Sequence, residues 1–472
     1  MQSTAEPLQI EELGASLTDT RAREIFRMGE EAVVLALLTQ AQALDSKKRT
    51  DKPAPSAPSG SVPPHEKPTT QNKRGKKPGR KRGHNGVRRS RPDRIDETKT
   101  HRLKSCPDCG GRLNRCHEIR TRYTEDIPQD IKPVVTEHII HRDWCSGCQK
   151  HVEPKITDAL PGSQIGNRVL VLTAWLHYGL GTTISQVVEL FNGHLQMPLT
   201  PGGLVQMWHR LALLLYIWYQ QIHQEALDSA VLHADETGWR VNGKTHWLWC
   251  FTNPDLTYYM IDRSRGSPAL MKFFTEAFEG TLVSDFWGAY NAVHCESRQM
   301  CLVHLLRDLE NVEQYRVLDK DWLAFAKKLR RLIGDAMRLS QHDPTERASR
   351  RQRLQIRLQE FIDAEWKHPE ARRLIKRLRR HSSDLFTFLD YNNVPSDNNH
   401  AERAIRPAVI IRKNSQSNRS ERGADTQAIL MSVYRTLKQR GHQPLHAVIE
   451  ALQTYLRTGQ IPSFPANLTP DG

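Results

Sequence analysis

Three carboxylates of this chain stand in contexts suited to metal-held chemistry. In residues 231–235 (VLHAD), alternating Val231, His233 and Asp235 read as a strand with Asp235 at its mouth, and LVSD does the same for Asp285. The third, Glu402, lies in SDNNHAERAIR, where Ser396 or Asp397 is placed to cap a helix that carries it, with Asn398 and Arg406 a turn away on either side. Carboxylates converging from separate elements can hold a pair of Mg2+ (or Mn2+) ions. Such ions activate a water or a 3′-hydroxyl and stabilise the leaving oxygen of a phosphodiester. Glu402 is followed by Arg403, Arg406, Arg412 and Lys413, and arginine's forked donors suit a phosphate held beside the metals. Glu236 and Asp397 are neighbouring carboxylates that could partner the metals instead.

A second constellation points to zinc. Cys106-Pro-Asp-Cys109 and Cys145-Ser-Gly-Cys148 are separated by 35 residues, and each pair sits on a glycine-containing turn that lets thiolates converge on one tetrahedral Zn2+. The spacing suggests a structural zinc ribbon. Residues 122–144 between the pairs alternate like strands that would bring them together. Cys116, His117 and His141 are possible substitutes for one ligand but lack the paired spacing. Eight cysteines in all, half of them in these pairs, fit a metal site in a reducing compartment and no structural disulfide.

The elements that must position these residues follow from patterning. Residues 20–44 carry apolar positions near helical spacing, and a Pro- and Ser-rich linker follows. The formal charge of +15 is unevenly placed: residues 73–94 hold eleven Lys and Arg against one Asp, and residues 313–380 hold nineteen against ten acids. Two local basic patches imply a polyanionic partner such as DNA. Arg80, Lys81 and Arg82 lie in the first, where interleaved Gly and Pro prevent a helix and favour a flexible arm on phosphates or in a groove.

Residues 165–226 are helical, with a helix-turn-helix-like pair near 184–191 and 200 onward, a pattern that packed core helices also produce. From residue 229 short strands with an Asn242-Gly243 hairpin turn lead to a helix near 267–277, a strand ending at Asp285 and a helix from about Met300, the order of a mixed α/β domain. The domains expected are 1–48, an amphipathic helix; 49–98, linker and basic arm; 99–155, zinc ribbon; 156–228, a helical region; 229–312 and 383–440, two parts of the α/β core; 313–382, a basic helical insertion; and 441–472, a C-terminal helix and tail. No stretch has the length or apolarity of a membrane span, and the N-terminus lacks a signal-peptide pattern, so a soluble cytoplasmic protein is expected.

HADETGWRV, HWLWCFT, SDFWGAYN, CLVHLLRDL and SDNNHAERAIRPAVIIRKNSQSNRSERGAD resemble the transposases of the insertion sequence 66 family of bacterial mobile elements. The order of parts is similar over nearly the whole chain. The resemblance implies a ribonuclease-H-like catalytic core with a DDE triad at Asp235, Asp285 and Glu402. It also implies that Cys301 and His304 form a C-x-x-H element shaping the site. Transposon ends and target DNA would be the partners, with a homo-oligomer in the active complex, accessory proteins from the same element, and a place on the bacterial nucleoid. A non-catalytic DNA-binding regulator and a nuclease without joining activity are the alternatives to a cut-and-join transposase.

Overall fold

The computed structural model describes residues 91–468 apart from 115–118, 129–130, 316–318, 341 and 417, with single positions between 23 and 33. The N-terminal helix expected over residues 20–44, those positions aside, and Arg80, Lys81, Arg82, Cys116 and His117 lie outside the described residues. In the zinc region β1 (Asp143–Cys145) pairs antiparallel with β2 (Lys150–Val152). Among the described residues 122–142 no strand forms, contrary to the alternation. Pro128 and Pro133 remove ladder donors there, and no neighbouring surface covers Val134 and Val135, which are 92% and 91% exposed.

The helical region comprises α1 (Asn167–Ala174), which runs into a π turn at Trp175–Gly179, then α2 (Ile184–Glu189), α3 (Pro201–Leu214) and α4 (Tyr216–Leu227). Thr183 and Gln186 close a capping box on α2, and Thr200 caps α3 ahead of Pro201. The α2–α3 pair is core architecture: Leu204, Trp208 and Leu211 of α3 are buried in the same cluster as the sheet, and His209 bonds Thr426 at 2.7 Å.

A five-stranded mixed sheet has the order β5-β4-β3-β6-β7. Its strands are β3 (Val231–Val241), β4 (Lys244–Thr252), β5 (Thr257–Asp262), β6 (Phe278–Ser284) and β7 (Cys295–Met300). Strands β3, β4 and β5 run antiparallel, whereas β6 and β7 run parallel to β3. Asn242 and Gly243, both at positive φ, close the expected hairpin. A short helix, α5 (Ser267–Phe273), connects β5 to β6.

Both sheet edges are covered. The N–H groups of Thr257 and Tyr259 on β5 donate to Thr436 and Ser432, hydroxyls one turn apart on α11 (Glu421–Gln439). At β7, Thr387 donates to the Arg298 carbonyl and Gln299 accepts from the Phe388 N–H.

Those last residues belong to the insertion: α6 (Leu302–Tyr315), α7 (Lys320–Leu339), α8 (Pro344–Asp363) and α9 (Pro369–Arg380). Along α7, Trp322, Phe325, Ala326, Leu329, Leu332, Ile333 and Ala336 are buried at helical spacing, so the basic residues fall on the outer face. A second hydrophobic cluster runs from Val283 of β6 through Met300 and Leu302 to Val394, so these helices pack on the sheet through residues on either side of 313–382. The chain then returns through α10 (Asn399–Ser415), α11 and α12 (Pro444–Thr458). No helix among the described residues is long and apolar enough to cross a membrane.

Candidate active site

Asp235 sits in the middle of β3 rather than at its mouth. The parallel pairing with β6 stops at His233 and Val283, one residue before β6 ends at Ser284, and β3 continues on β4 alone. Asp285 follows that end directly, so both carboxylates stand where the parallel ladder opens. Burial first, then the charges of Glu236, Asp285 and Glu402, hold the Asp235 carboxyl well above the usual range, against one N–H bond from Glu236 at 2.9 Å. Asp285 is pushed up to about 7 by burial and Glu236, opposed by the Trp287 N–H at 2.8 Å and by Arg265 and Arg377. Neither aspartate has an ion-pair partner among the described residues.

Glu236, the neighbouring carboxylate in β3, is committed elsewhere. It is 2% exposed, accepts from Arg265 Nε at 3.1 Å and Nη2 at 2.9 Å, and takes the Tyr290 hydroxyl at 2.7 Å. The Arg265 guanidinium lies 4.4 Å from the Trp247 ring and 3.9 Å from that of Trp287. This buried framework anchors Trp287, whose backbone orients Asp285.

Glu402 lies in the first turn of α10. That helix is docked by Asn398, which is 1% exposed; its Oδ1 accepts from His233 Nδ1 at 3.0 Å and its amide nitrogen donates to the Ala234 carbonyl at 2.8 Å. Cys301 links the other two carboxylate-bearing segments: its N–H donates to the Ser284 carbonyl and its sulfur accepts from the Asn398 N–H. Leu302 N–H donates to the Ser396 carbonyl, and Asp397 takes the Asn399 N–H at 2.9 Å. His304 Nε2 lies 3.7 Å from Glu402, and Arg307 donates to that carboxylate at 3.3 Å. Burial, with Arg307 and Arg377, pulls His304 down to about 4, so it is neutral at physiological pH.

Arg307, Arg265 and Tyr290 carry no signal in the sequence patterning, which places Asn398 a turn from Glu402 but does not give its part in docking the helix on β3. Among the cations after Glu402, Arg403, Arg406 and Lys413 are exposed, while Arg412 reaches back to Thr237 and the Gly238 carbonyl on β3.

The cysteine pairs each form a knuckle. Cys106 exchanges backbone bonds with Gly110 and Gly111 at 2.9 Å, Gly110 at φ +71° makes the turn, and Cys148 N–H points at Cys145 Sγ. Donors from Cys109 and Asp108, and from Cys148 and Gly147, pull the Cys106 and Cys145 thiols down toward the thiolate. Among the described residues no three His, Cys, Asp or Glu side chains stand close enough to hold one ion, so neither the cysteines nor the acids form a closed cage. No described cysteine is in a disulfide.

Each donor set has the chemistry its metal would require: hard carboxylates for Mg2+ or Mn2+, and thiolates for Zn2+. Asp235 and Asp285 repel one another beside a third acid, which a cation would relieve. The zinc region leaves Ile119, Val134 and Val135 outside any core, as in modules held together by metal.

Burial of Asp285, with the charge of Glu236 beside it, has a measurable consequence without metal. Folded Asp285 keeps its proton up to about pH 7, whereas the unfolded chain releases it near the ordinary value of about 4. Its contribution to stability is full below about pH 4 and is lost as pH rises through 7. Asp285→Asn is therefore expected to stabilise the metal-free protein at pH 8 by on the order of 1–3 kcal/mol in urea denaturation, and by little at pH 4. Equal midpoints at pH 8 would contradict this.

A family model described as "Transposase IS66 family" matches residues 162–426, more than half of the chain, and another described as "zinc-finger binding domain of transposase IS66" matches residues 104–149. Uncharacterized protein y4qI of Sinorhizobium fredii is 27% identical over 243 residues, which is 45% of this chain and 44% of that protein, so the alignment spans less than half of that relative.

Proposed function

Since the chain belongs to the IS66 transposase family, we propose that it binds the terminal inverted repeats of an insertion sequence and catalyses metal-dependent DNA cleavage and strand transfer. The observation that carries the proposal is that Asp235 in β3 and Asp285 after β6 stand at the open end of the parallel ladder, while Asn398 and Cys301 tie the start of α10, which carries Glu402, to both strands. The sheet order and strand directions support a ribonuclease-H-like core, interrupted by the insertion between the second and third acids.

In this reading Asp235, Asp285 and Glu402 hold Mg2+ or Mn2+, which when bound supplies Lewis-acid stabilisation of the attacking and leaving oxygens. The protein's own groups do the positioning. Trp287 N–H orients Asp285 and Asn398 fixes the first turn of α10. Arg307 holds Glu402 and, with Arg403 and Arg406, offers cations to the DNA backbone. Partners are the element's ends and target DNA, with oligomerisation and accessory proteins as further expectations of the family.

Purified protein incubated with a duplex ending in the inverted repeat should nick at the repeat boundary in Mg2+ and not in EDTA. Binding without any nick in either Mg2+ or Mn2+ would support a DNA-binding regulator instead.

Structural Zn2+ at Cys106, Cys109, Cys145 and Cys148 follows from the zinc-finger match and the two knuckles. Protein prepared without chelator should carry about one Zn2+ per chain. Stripping it should expose residues 104–149 to protease while the sheet domain keeps its unfolding midpoint. Elemental analysis without zinc would refute the assignment.

The basic arm should supply affinity indifferent to sequence. Neutralising Arg80, Lys81 and Arg82 is expected to weaken specific and random DNA alike and to flatten the salt dependence by up to about three units of slope. Selective loss on the terminal repeat would make the arm a reader of sequence or groove shape.

A further inference from the structure

Behind α10 lies a cavity of about 380 Å³, within the roughly 300–1,000 Å³ of ligand sites. Its wall is aromatic, with Trp175, Tyr178 and Tyr434, and its charged groups are Arg435 and Lys438; no carboxylate lines it. Arg435 is half-buried, its Nε is shielded from solvent without an acceptor, and it forms no hydrogen bond or ion pair among the described residues. Other arginines at similar depth are paired: Arg265 with Glu236, Arg377 with Asp308, and Arg440 with Glu225. A guanidinium shielded at Nε and left without an acceptor has free donors facing the cavity, and such donors suit an anion that arrives from outside.

Two departures from regular helix geometry converge on the same cavity. The π turn at Trp175–Gly179 presents Trp175, and only glycine fits at 179, where a Cβ would lie 2.8 Å from the indole. Pro407, inside α10, also lines the cavity and leaves the Arg403 carbonyl without its helical donor. Local violations of this kind cluster at functional sites. Pro407 follows the exposed Arg406 on the helix that carries Glu402, five residues and about 7.5 Å along the axis from it.

We propose that this cavity receives a single unpaired nucleotide of the bound DNA, its phosphate on Arg435 and Lys438 and its base against Trp175. Guanidinium and phosphate match as a fork, and an aromatic wall accepts any base face. The assignment rests on the transposase reading for the source of the nucleotide.

The test uses the full zinc-loaded chain and fluorescence anisotropy with a labelled single-stranded hexanucleotide and a blunt duplex of the same sequence. Arg435→Gln is expected to weaken the single strand about tenfold or more while leaving the duplex within about twofold. Lys438→Gln, at the exposed rim where folding is not at risk, should cost the single strand about two- to threefold. 2′-Deoxyadenosine 5′-monophosphate should compete better than inorganic phosphate. Unchanged single-strand binding in both variants, equal losses on both DNAs, or phosphate competing as well as the nucleotide would each overturn the pocket. Nicking of the repeat duplex is scored in the same preparations. Nicking without nucleotide discrimination removes the pocket and leaves the transposase reading, and discrimination without nicking does the reverse.

Discussion

Asp285→Asn, like Asp235→Asn or Glu402→Gln, is expected to reduce metal-dependent DNA cleavage by at least about a thousandfold, roughly 4 kcal/mol of transition-state stabilisation, with DNA binding nearly intact. Asp235 and Asp285 stand at the open end of the parallel ladder, Glu402 starts the helix docked on β3, and the two aspartates lack any cation of their own among the described residues. Loss of activity through misfolding is separable from loss through metal binding. Asp285→Asn should be more stable than the parent at pH 8 without metal while being inactive with it, a combination that a damaged fold does not produce. A variant at any of the three positions that kept cleavage near the parent rate in Mg2+ would remove that residue from the triad.

Arg265→Ala should be the most destabilising single change near the site. It strands Glu236, 2% exposed, with only the Tyr290 hydroxyl, and it empties the space between Trp247 and Trp287. Removing one partner of a buried pair costs about 3–5 kcal/mol, because the remaining charge stays desolvated. Adding Glu236→Gln should recover much of that loss, since the buried charge goes with it. Cleavage should fall in Arg265→Ala and stay low in the double variant, because Trp287 is no longer clamped and its N–H orients Asp285. Urea denaturation of the single and double variants decides the matter: a loss under about 1 kcal/mol, or no recovery on neutralising Glu236, would mean that the pair carries little.

What the sequence made legible was whatever depends on local periodicity. The Asn242-Gly243 hairpin, the strand running into Asp285 and the amphipathic insertion helices all follow from alternation, turn chemistry or 3.6-residue spacing. Strand β7 was missed because CESRQM has no apolar alternation; β6 supplies its ladder and the insertion covers its edge. Asp235 lies mid-strand because the length of β3 is set by its partner β4, which outlasts β6. The division of roles between Asp235 and Glu236 is likewise tertiary: adjacent acids on a strand face opposite sides, and only the packed structure brings Arg265 and Tyr290 to one of them. Arg412 read as a phosphate ligand in a basic run, yet α10 turns it onto Thr237 and Gly238. The strands expected between the cysteine pairs required a surface to pair on, and two prolines interrupt them.

On the function proposed above, this geometry both cuts and joins DNA. The most direct test mixes purified protein, Mg2+ and supercoiled plasmid with a labelled duplex that ends in a pre-exposed 3′-hydroxyl at the inverted repeat. Covalent transfer of label to plasmid is expected, dependent on metal and absent in Asp285→Asn. Nicked plasmid and cut repeat with no label transferred would contradict it and leave a nuclease on the same fold.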